Sequence, residues 1–321
     1  MSLRYARTRV GLGHASVVVL RRLRIGPALL AIALLVAGCG SGDKVSSADQ
    51  KDILAGALIS LNGIDSAHLE TTLTGEVVAK DGGTFSASLN GDLGEKRASV
   101  AGTLDFQSRG QSKQSFSGGL RLTAEKLFVK VMNEWYVSSL AELKALGEQR
   151  TGKLSESPLS IIDRLRARSA IQDIAESAFV GEVSDGPMLD GVETVRWEGT
   201  ISPEGVLDMA LKYGGENGKL DAAERQRVLA ALEVAAKLST LTVIVGSEDG
   251  RPRQVTLSFE ADQAELAEIA AAAGETSEAN ELEKIDFELQ VDLSRYDEEF
   301  SVTEPQGAKP MDELLQGIFG G

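Results

Sequence analysis

From Ser66 onward the chain alternates with a period of two. Ala67, Leu69, Thr71, Leu73, Gly75 and Val77 fall on one side, and His68, Glu70, Thr72, Thr74 and Glu76 on the other. Successive side chains of a strand point to opposite faces, so this segment reads as a long strand with one wet face. Asp81, Gly82 and Gly83 supply a turn, and alternating runs recur over residues 85–93, 98–106, 114–123 and 126–138. The short turns between them predict antiparallel hairpins. The period then lengthens. Residues 141–146 and, after Pro158, the positions Leu159, Ile162, Leu165, Ile171, Ile174 and Ala178 have helical spacing, with Phe179 and Val180 closing the helical block.

A second strand set starts at Gly191, where Val195, Trp197 and Ile201 share one face and Arg196, Glu198 and Thr200 the other. Ser202 and Pro203 cap a following turn or short helix, because proline suits the first helical position. Asp221 stands three residues before Glu224, the spacing of a capping box, ahead of Val228, Leu229, Leu232 and Leu238, and another helix is expected there. Residues 241–245, a Glu248-Asp249-Gly250 turn and residues 254–260 form a predicted hairpin. Residues 285–293 and 300–302 supply the last strands, and the Ala/Glu-rich stretch 264–281 reads as a solvated helix or loop. Upstream, Ile53, Leu54, Ala57, Leu58 and Leu61 have helical spacing, ended by Asn62-Gly63. Strand runs followed by helix runs, twice over, predict an α+β domain: a large antiparallel sheet, read as one curved sheet, covered by helices on one face. This domain is expected over 46–305, followed by a C-terminal tail over 306–321 that reads as frayed.

Residues 21–39, RRLRIGPALLAIALLVAGC, place a positive cluster before an apolar stretch and small residues before a cysteine. That order is the grammar of an export signal, and its apolar stretch, Ile25 to Ala37, is shorter than the ~20 residues a membrane-spanning helix needs. Val36-Ala37-Gly38-Cys39 resembles the bacterial lipobox. The resemblance implies that residues 1–38 are a lipoprotein signal peptide, that the Cys39 thiol receives diacylglycerol, and that cleavage before it leaves a lipidated amino terminus. Residues 39–45 then hold the lipidated cysteine and a flexible tether. Two acyl chains suffice for stable anchoring where one is marginal. The rival reading of this segment is an uncleaved signal anchor.

Charge narrows the partners. The chain carries a net charge of -15, yet the six arginines before Cys39 face no acid. Without them 27 basic residues oppose 48 acidic ones, a net charge of about -21. Such a field repels phosphate backbones and anionic headgroups, so no nucleic acid partner is expected and anchoring falls to the acyl chains. With one cysteine, no intrachain disulfide can form.

The chemistry of catalysis is sparse. Only His14 and His68 are present, and His14 lies in the signal, so a histidine-based triad or a multi-histidine metal site cannot be built. His68 alternates onto the wet face and is expected to be solvated. There is no phosphate loop, no CxxC and no G-x-S-x-G. Asp286, Glu288 and Asp292 follow strand alternation rather than a calcium loop. The expectation is a non-enzymatic protein with no cofactor, no metal and no catalytic residue.

What remains is an apolar strand face: Leu73, Val77, Phe85, Leu104, Phe116, Leu120, Val129, Trp197, Leu257, Phe287 and Leu289. Any half-buried sheet carries such a face, so the pattern alone leaves a fully packed core and an open cavity both standing. The order of elements adds to this. The lipobox, the long hairpins, Lys126-Leu127-Phe128-Val129-Lys130 leading into Trp135-Tyr136-Val137, then Asp190-Gly191-Val192-Glu193-Thr194 and Asp249-Gly250-Arg251-Pro252-Arg253-Gln254-Val255 together resemble the actinobacterial lipoproteins of the LppX and LprG type, relatives of the LolA-like carriers. The resemblance implies a half-barrel with helices packed on its concave face, enclosing a cavity for acyl chains that these apolar residues line. It also implies a lipid or glycolipid ligand in transit through the cell envelope, a membrane location on the extracytoplasmic face, and an envelope transporter as partner. The alternative is a membrane-anchored acidic interaction module with a fully packed core and no ligand.

Overall fold

The computed structural model describes residues 64–79, 82–94, 97–142, 177–213, 221–274 and 282–314, together with Ile53 and Ala57. The signal peptide, Cys39, the tether and nearly all of the predicted central helices lie outside these residues. Ile53 and Ala57 are helical, as their spacing predicts.

Twelve strands form one curved, unclosed and mostly antiparallel sheet in an α+β fold. In chain order they are β1 (Ser66–Ala79), β2 (Gly83–Gly94), β3 (Ala98–Ser108), β4 (Gln114–Leu122), β5 (Lys126–Val131), β6 (Glu134–Ser139), β7 (Phe179–Asp185), β8 (Thr194–Ile201), β9 (Ser239–Gly246), β10 (Pro252–Asp262), β11 (Leu282–Ser294) and β12 (Lys309–Pro310). Among the described residues three longer helices interrupt the second half: α1 (Pro203–Tyr213), α2 (Ala222–Lys237) and α3 (Gln263–Ala272). Across the sheet the order is β12-β6-β5-β4-β3-β2-β1-β11-β10-β9-β8-β7. The two hairpin series therefore meet at β1 and β11, which pair from His68 opposite Ser294 to Ala79 opposite Leu282.

Helix starts follow their caps. Asp221 accepts from the Glu224 amide at 2.8 Å while the Glu224 carboxylate accepts from the Asp221 amide at 3.2 Å, closing the predicted box at α2. A second box opens α3, where Asp262 and Glu265 exchange the same bonds at 2.9 and 2.8 Å. Each box satisfies two backbone donors that a helix start leaves free.

Several expectations are corrected. The run 126–138 is a hairpin, broken by Met132 at φ 56, rather than a single strand. Phe179 and Val180 begin the edge strand β7 instead of ending the helical block. The Ala/Glu-rich stretch is a helix over its described part, as one of the two readings has it, but one of its stripes is buried rather than solvated. Leu266 and Ile269 of α3 are buried, and Leu266 packs with Ala261, Leu282, Val77 and Ile285 because one stripe of that helix is apolar.

Residues 300–302 form no strand. After β11 the chain turns sharply at Arg295 and Asp297, both at positive φ, and crosses the outer side of the sheet as a strap. The Asp297 amide donates to the Ser66 carbonyl at 2.8 Å, and Ser66 Oγ to the Glu298 carbonyl at 2.6 Å. Arg97 donates to the Phe300 carbonyl at 2.9 Å and Arg121 to the Thr303 carbonyl at 2.6 Å. Lys126 pairs with Glu304 at 2.8 Å. Arginine side chains thus take the place of a neighbouring strand in satisfying the strap's carbonyls. The tail start is not frayed either: Lys309 and Pro310 pair in parallel with Tyr136 and Val137, and Met311 is buried.

The strap's far end is held by charge. Lys309 Nζ lies 2.6 Å from Glu134 Oε1, and Tyr136 donates to Glu134 Oε2 at 2.8 Å. Lys309 first, and Tyr136 second, hold the Glu134 carboxyl below the usual carboxylate range, while Glu134 raises the Lys309 ammonium. A lowered carboxyl contributes above its unfolded value and loses that contribution as pH falls through the lowered one. The raised lysine loses its own only as pH rises through its raised value. The β12 pairing should therefore hold at neutral pH and loosen in acid. Backbone amide chemical shifts of Tyr136 and Lys309, followed through an acid titration, should move together in the wild type. In Glu134→Gln they should sit near the acid-end values throughout.

Candidate functional site

The register puts all eleven sequence-selected apolar residues on one face, the inner one. Pairing runs Phe116 to Leu104 to Ala87 to Leu73 to Leu289 to Leu257 to Leu241, so one apolar row crosses seven strands. A parallel row joins Val129, Leu120, Val100, Gly91, Leu69 and Leu293. Phe85 and Phe287 both oppose Gly75, and Phe287 stacks on Phe259 with centroids 5.4 Å apart. Trp197 opposes Val243, and Val77 opposes Ile285.

This face has two unlike halves. Over β8 to β11 it is packed: Trp197, Leu241, Val243, Leu257 and Val291 belong to a buried cluster with Ala57 and Ile64, and Phe287 and Leu289 pack against it. Val77 packs against α3's cluster. Over β2 to β4 the same face opens. Leu104 is 48% exposed, Phe116 42%, and Leu89 and Leu120 39% each. Leu73, Phe85 and Val129 lie between these extremes.

Glycine sharpens the open half. Gly102 and Gly118 oppose each other on the inner face, in a row with Leu89 and Val131 at its ends. Neither has a side chain, so a trough separates the Leu120 and Val100 row from the Phe116 and Leu104 row. A Cβ at Gly118 would meet only the Lys130 carbonyl, at 3.4 Å, so nothing in the packing demands glycine there. Leu89 and Val131 were not among the residues singled out from sequence, although Leu89 continues the alternation of Phe85 and Ala87.

The outer face is mostly polar over β1 to β4 and contains the correction for His68. Its side chain is 13% exposed, not solvated, and Nδ1 lies 2.8 Å from Asp92 Oδ1 and in contact with Arg295. Glu70 approaches Nε2 at 3.5 Å, and Arg295 reaches Asp92 at 3.0 Å. The chain reversal after β11 brings Arg295 over β1 and β2 and shields the ring. His68 is thereby a structural partner of the strap's root. Asp286 and Asp292 are also engaged: Asp286 pairs with Lys284 at 3.2 Å, and Asp292 accepts from Gln254 and Gln290 at 2.7 Å each. Among the described residues no group of three metal-ligating side chains converges, and no helix is long and apolar enough to cross a membrane.

The two halves of the inner face should respond differently to truncation. Leu257→Ala removes a buried side chain and should cost ~2–5 kcal/mol of unfolding free energy. Leu104→Ala, half exposed, should cost less than about 1 kcal/mol. Urea denaturation followed by tryptophan fluorescence measures both.

No family model matches this chain, and no curated protein matches it. Among solved structures it is similar to the lipoprotein LppX of Mycobacterium tuberculosis, at 14% identity and a TM-score of 0.36, over 79% of this chain and 98% of that one. It is also similar to LprF from Mycobacterium bovis, at 12% identity and a TM-score of 0.38, over 83% of this chain and 100% of that one. LppX is of the lipoprotein type that the sequence resembles.

Proposed function

We propose that this chain is a non-enzymatic cell-envelope lipoprotein that binds acyl chains of a lipid or glycolipid on the open half of its inner face. Cys39 anchors it to the extracytoplasmic side of the membrane, and an envelope transporter is the natural partner for delivery or receipt of the cargo. The observation that carries the reading is the exposure of Leu89, Leu104, Phe116 and Leu120 side by side on a face whose other half is packed. Contiguous apolar surface of this kind marks an interaction site on a soluble domain. Acyl chains suit it because the driving force is area removed from water, about 25 cal/mol per Å², with few directional contacts needed. The trough at Gly102 and Gly118 gives a chain room to lie across the strands between two apolar rows. The sole histidine beyond the signal is engaged with the strap, which leaves no general base of that kind on this face.

The test uses protein lacking residues 1–39, exposed to total envelope lipids and examined by native mass spectrometry with solvent extraction. A defined lipid should be bound near one per protein. Phe116→Asp and Leu104→Asp should abolish it while leaving the fold intact. Gly118→Leu, at a position with room for a Cβ, should fill the trough and weaken binding by about fivefold, the ratio for ~1 kcal/mol. Protein that stays empty would overturn the carrier reading and leave an acidic interaction module with no ligand.

A further inference from the structure

The sheet's two edges are treated differently. At one, the strap lays β12 against β6, and this final strand is two residues long and ends in Pro310, which cannot donate to a ladder. At the other, β7 is seven residues long and pairs with β8 through seven consecutive positions, Phe179 opposite Ile201 to Asp185 opposite Val195, with no bulge. It contains no proline and no lysine, the usual protections of an edge. Among the described residues nothing pairs with its far side.

Hydrogen-bond parity shows which groups are free. The Gly186 amide donates to the Thr194 carbonyl at 2.9 Å and the Ser202 amide to the Ala178 carbonyl at 2.7 Å. Antiparallel ladders alternate, so Val180, Glu182 and Ser184 turn their backbone groups toward β8. Phe179, Gly181, Val183 and Asp185 present theirs to the open edge. Val180 and Glu182 are exposed on the outer face, Val180 to 64%. Glu182 stands directly opposite Glu198, a like-charge pair, and the nearby Arg196 is already engaged by Glu198. The edge strip is therefore short of a cation.

We propose that the β7 edge is a docking site for one extended segment of a second protein, adding antiparallel to the sheet, with a lysine or arginine opposite Glu182 and an apolar residue opposite Val180. Because Glu182 points its backbone toward β8, it faces the incoming strand at a non-hydrogen-bonded position, where side chains come closest. Backbone bonds to Gly181, Val183 and Asp185 supply the pairing, and the cation answers the two carboxylates. A second copy of this chain is a poor occupant: β7 itself holds no cation, so self-pairing leaves Glu182 and Asp185 unanswered between two acidic proteins. This inference does not depend on the lipid reading.

The experiment uses the full chain in detergent and two blocked peptides of alternating threonine and valine, as long as β7, with lysine or glutamate at the centre. Hydrogen exchange in the free chain should be fast at Gly181, Val183 and Asp185 and slow at Glu182 and Ser184. The lysine peptide should slow the first three and bind about fivefold tighter than the glutamate peptide. Glu182→Lys should reverse that preference. Val183→Pro removes an edge amide and trims a side chain that packs against the buried cluster, so it should abolish peptide binding at a urea midpoint near that of Val183→Ala, which keeps the amide and the binding. Slow exchange at all five amides in the free chain would show the edge already covered and overturn the proposal. Equal binding of the two peptides, binding of neither, or an unchanged preference in Glu182→Lys would overturn it as well. So would a dimer in sedimentation velocity that Val183→Pro dissolves, since the occupant would then be a second copy.

Discussion

Pairing parity across the sheet is the constraint on which the other features rest. A strand shifted by one residue turns every side chain to the opposite face. From β6 to β7 the ladders run with irregularities only at Val78/Ala79 and at Pro252/Gln254, both at strand ends. Apolar rows therefore cross the sheet in register, with Thr71, Glu134 and Tyr136 as polar exceptions on the inner face, and most hydroxyls and carboxylates lie on the other side. The packed cluster under Trp197 and the open surface around Phe116 are parts of one continuous apolar face. They differ only in what covers them.

The outer side carries the second organising element. Polar side chains there do more than meet water, because the strap uses them as rungs. Arg97, Arg121 and Lys126, on or beside successive strands, reach its carbonyls and a carboxylate. Guanidinium groups also stack on rings: Arg97 over Phe300 at 5.4 Å and Arg121 over Trp135 at 5.0 Å. The strap links the end of β11 to β6 across the intervening strands and so limits how far that part of the sheet can flatten. Curvature of the open half is thus coupled to contacts on the opposite face.

Much of this was legible in the sequence wherever period and turn chemistry agreed. The alternation of β1 to β4 and of β9 to β11 located those strands, and Asp221 with Glu224 located a helix start. Asp262-Gln263-Ala264-Glu265 carries the same spacing, but the Ala/Glu-rich composition left helix and loop both open and hid the buried stripe, which is only Leu266, Ile269 and their small neighbours. Phe179 and Val180 were misread because β7 is short and follows a helical pattern, and only pairing with β8 makes it a strand. The 300–302 segment has strand-like residues, yet its carbonyls are taken by arginine side chains far away in sequence. His68 failed for the same reason: its shield, Arg295, is 227 residues distant. For the apolar face, the sequence identified which residues share a side. It could not say which half would be covered, since coverage is a property of tertiary packing.

The seam between β1 and β11 also bears on how the chain is made. These strands are more than 200 residues apart, yet they form the middle of the sheet. During synthesis the first hairpins emerge with β1 as a bare inner edge, and that edge has no partner until almost the whole chain has followed. Contacts of such long sequence separation form slowly, and an unpaired central strand invites wrong pairing while it waits. The molecule is therefore most vulnerable at its centre, and the strap at its C-terminal end doubles as the last stitch. Until β11 has emerged, the sheet exists only as two unjoined pieces.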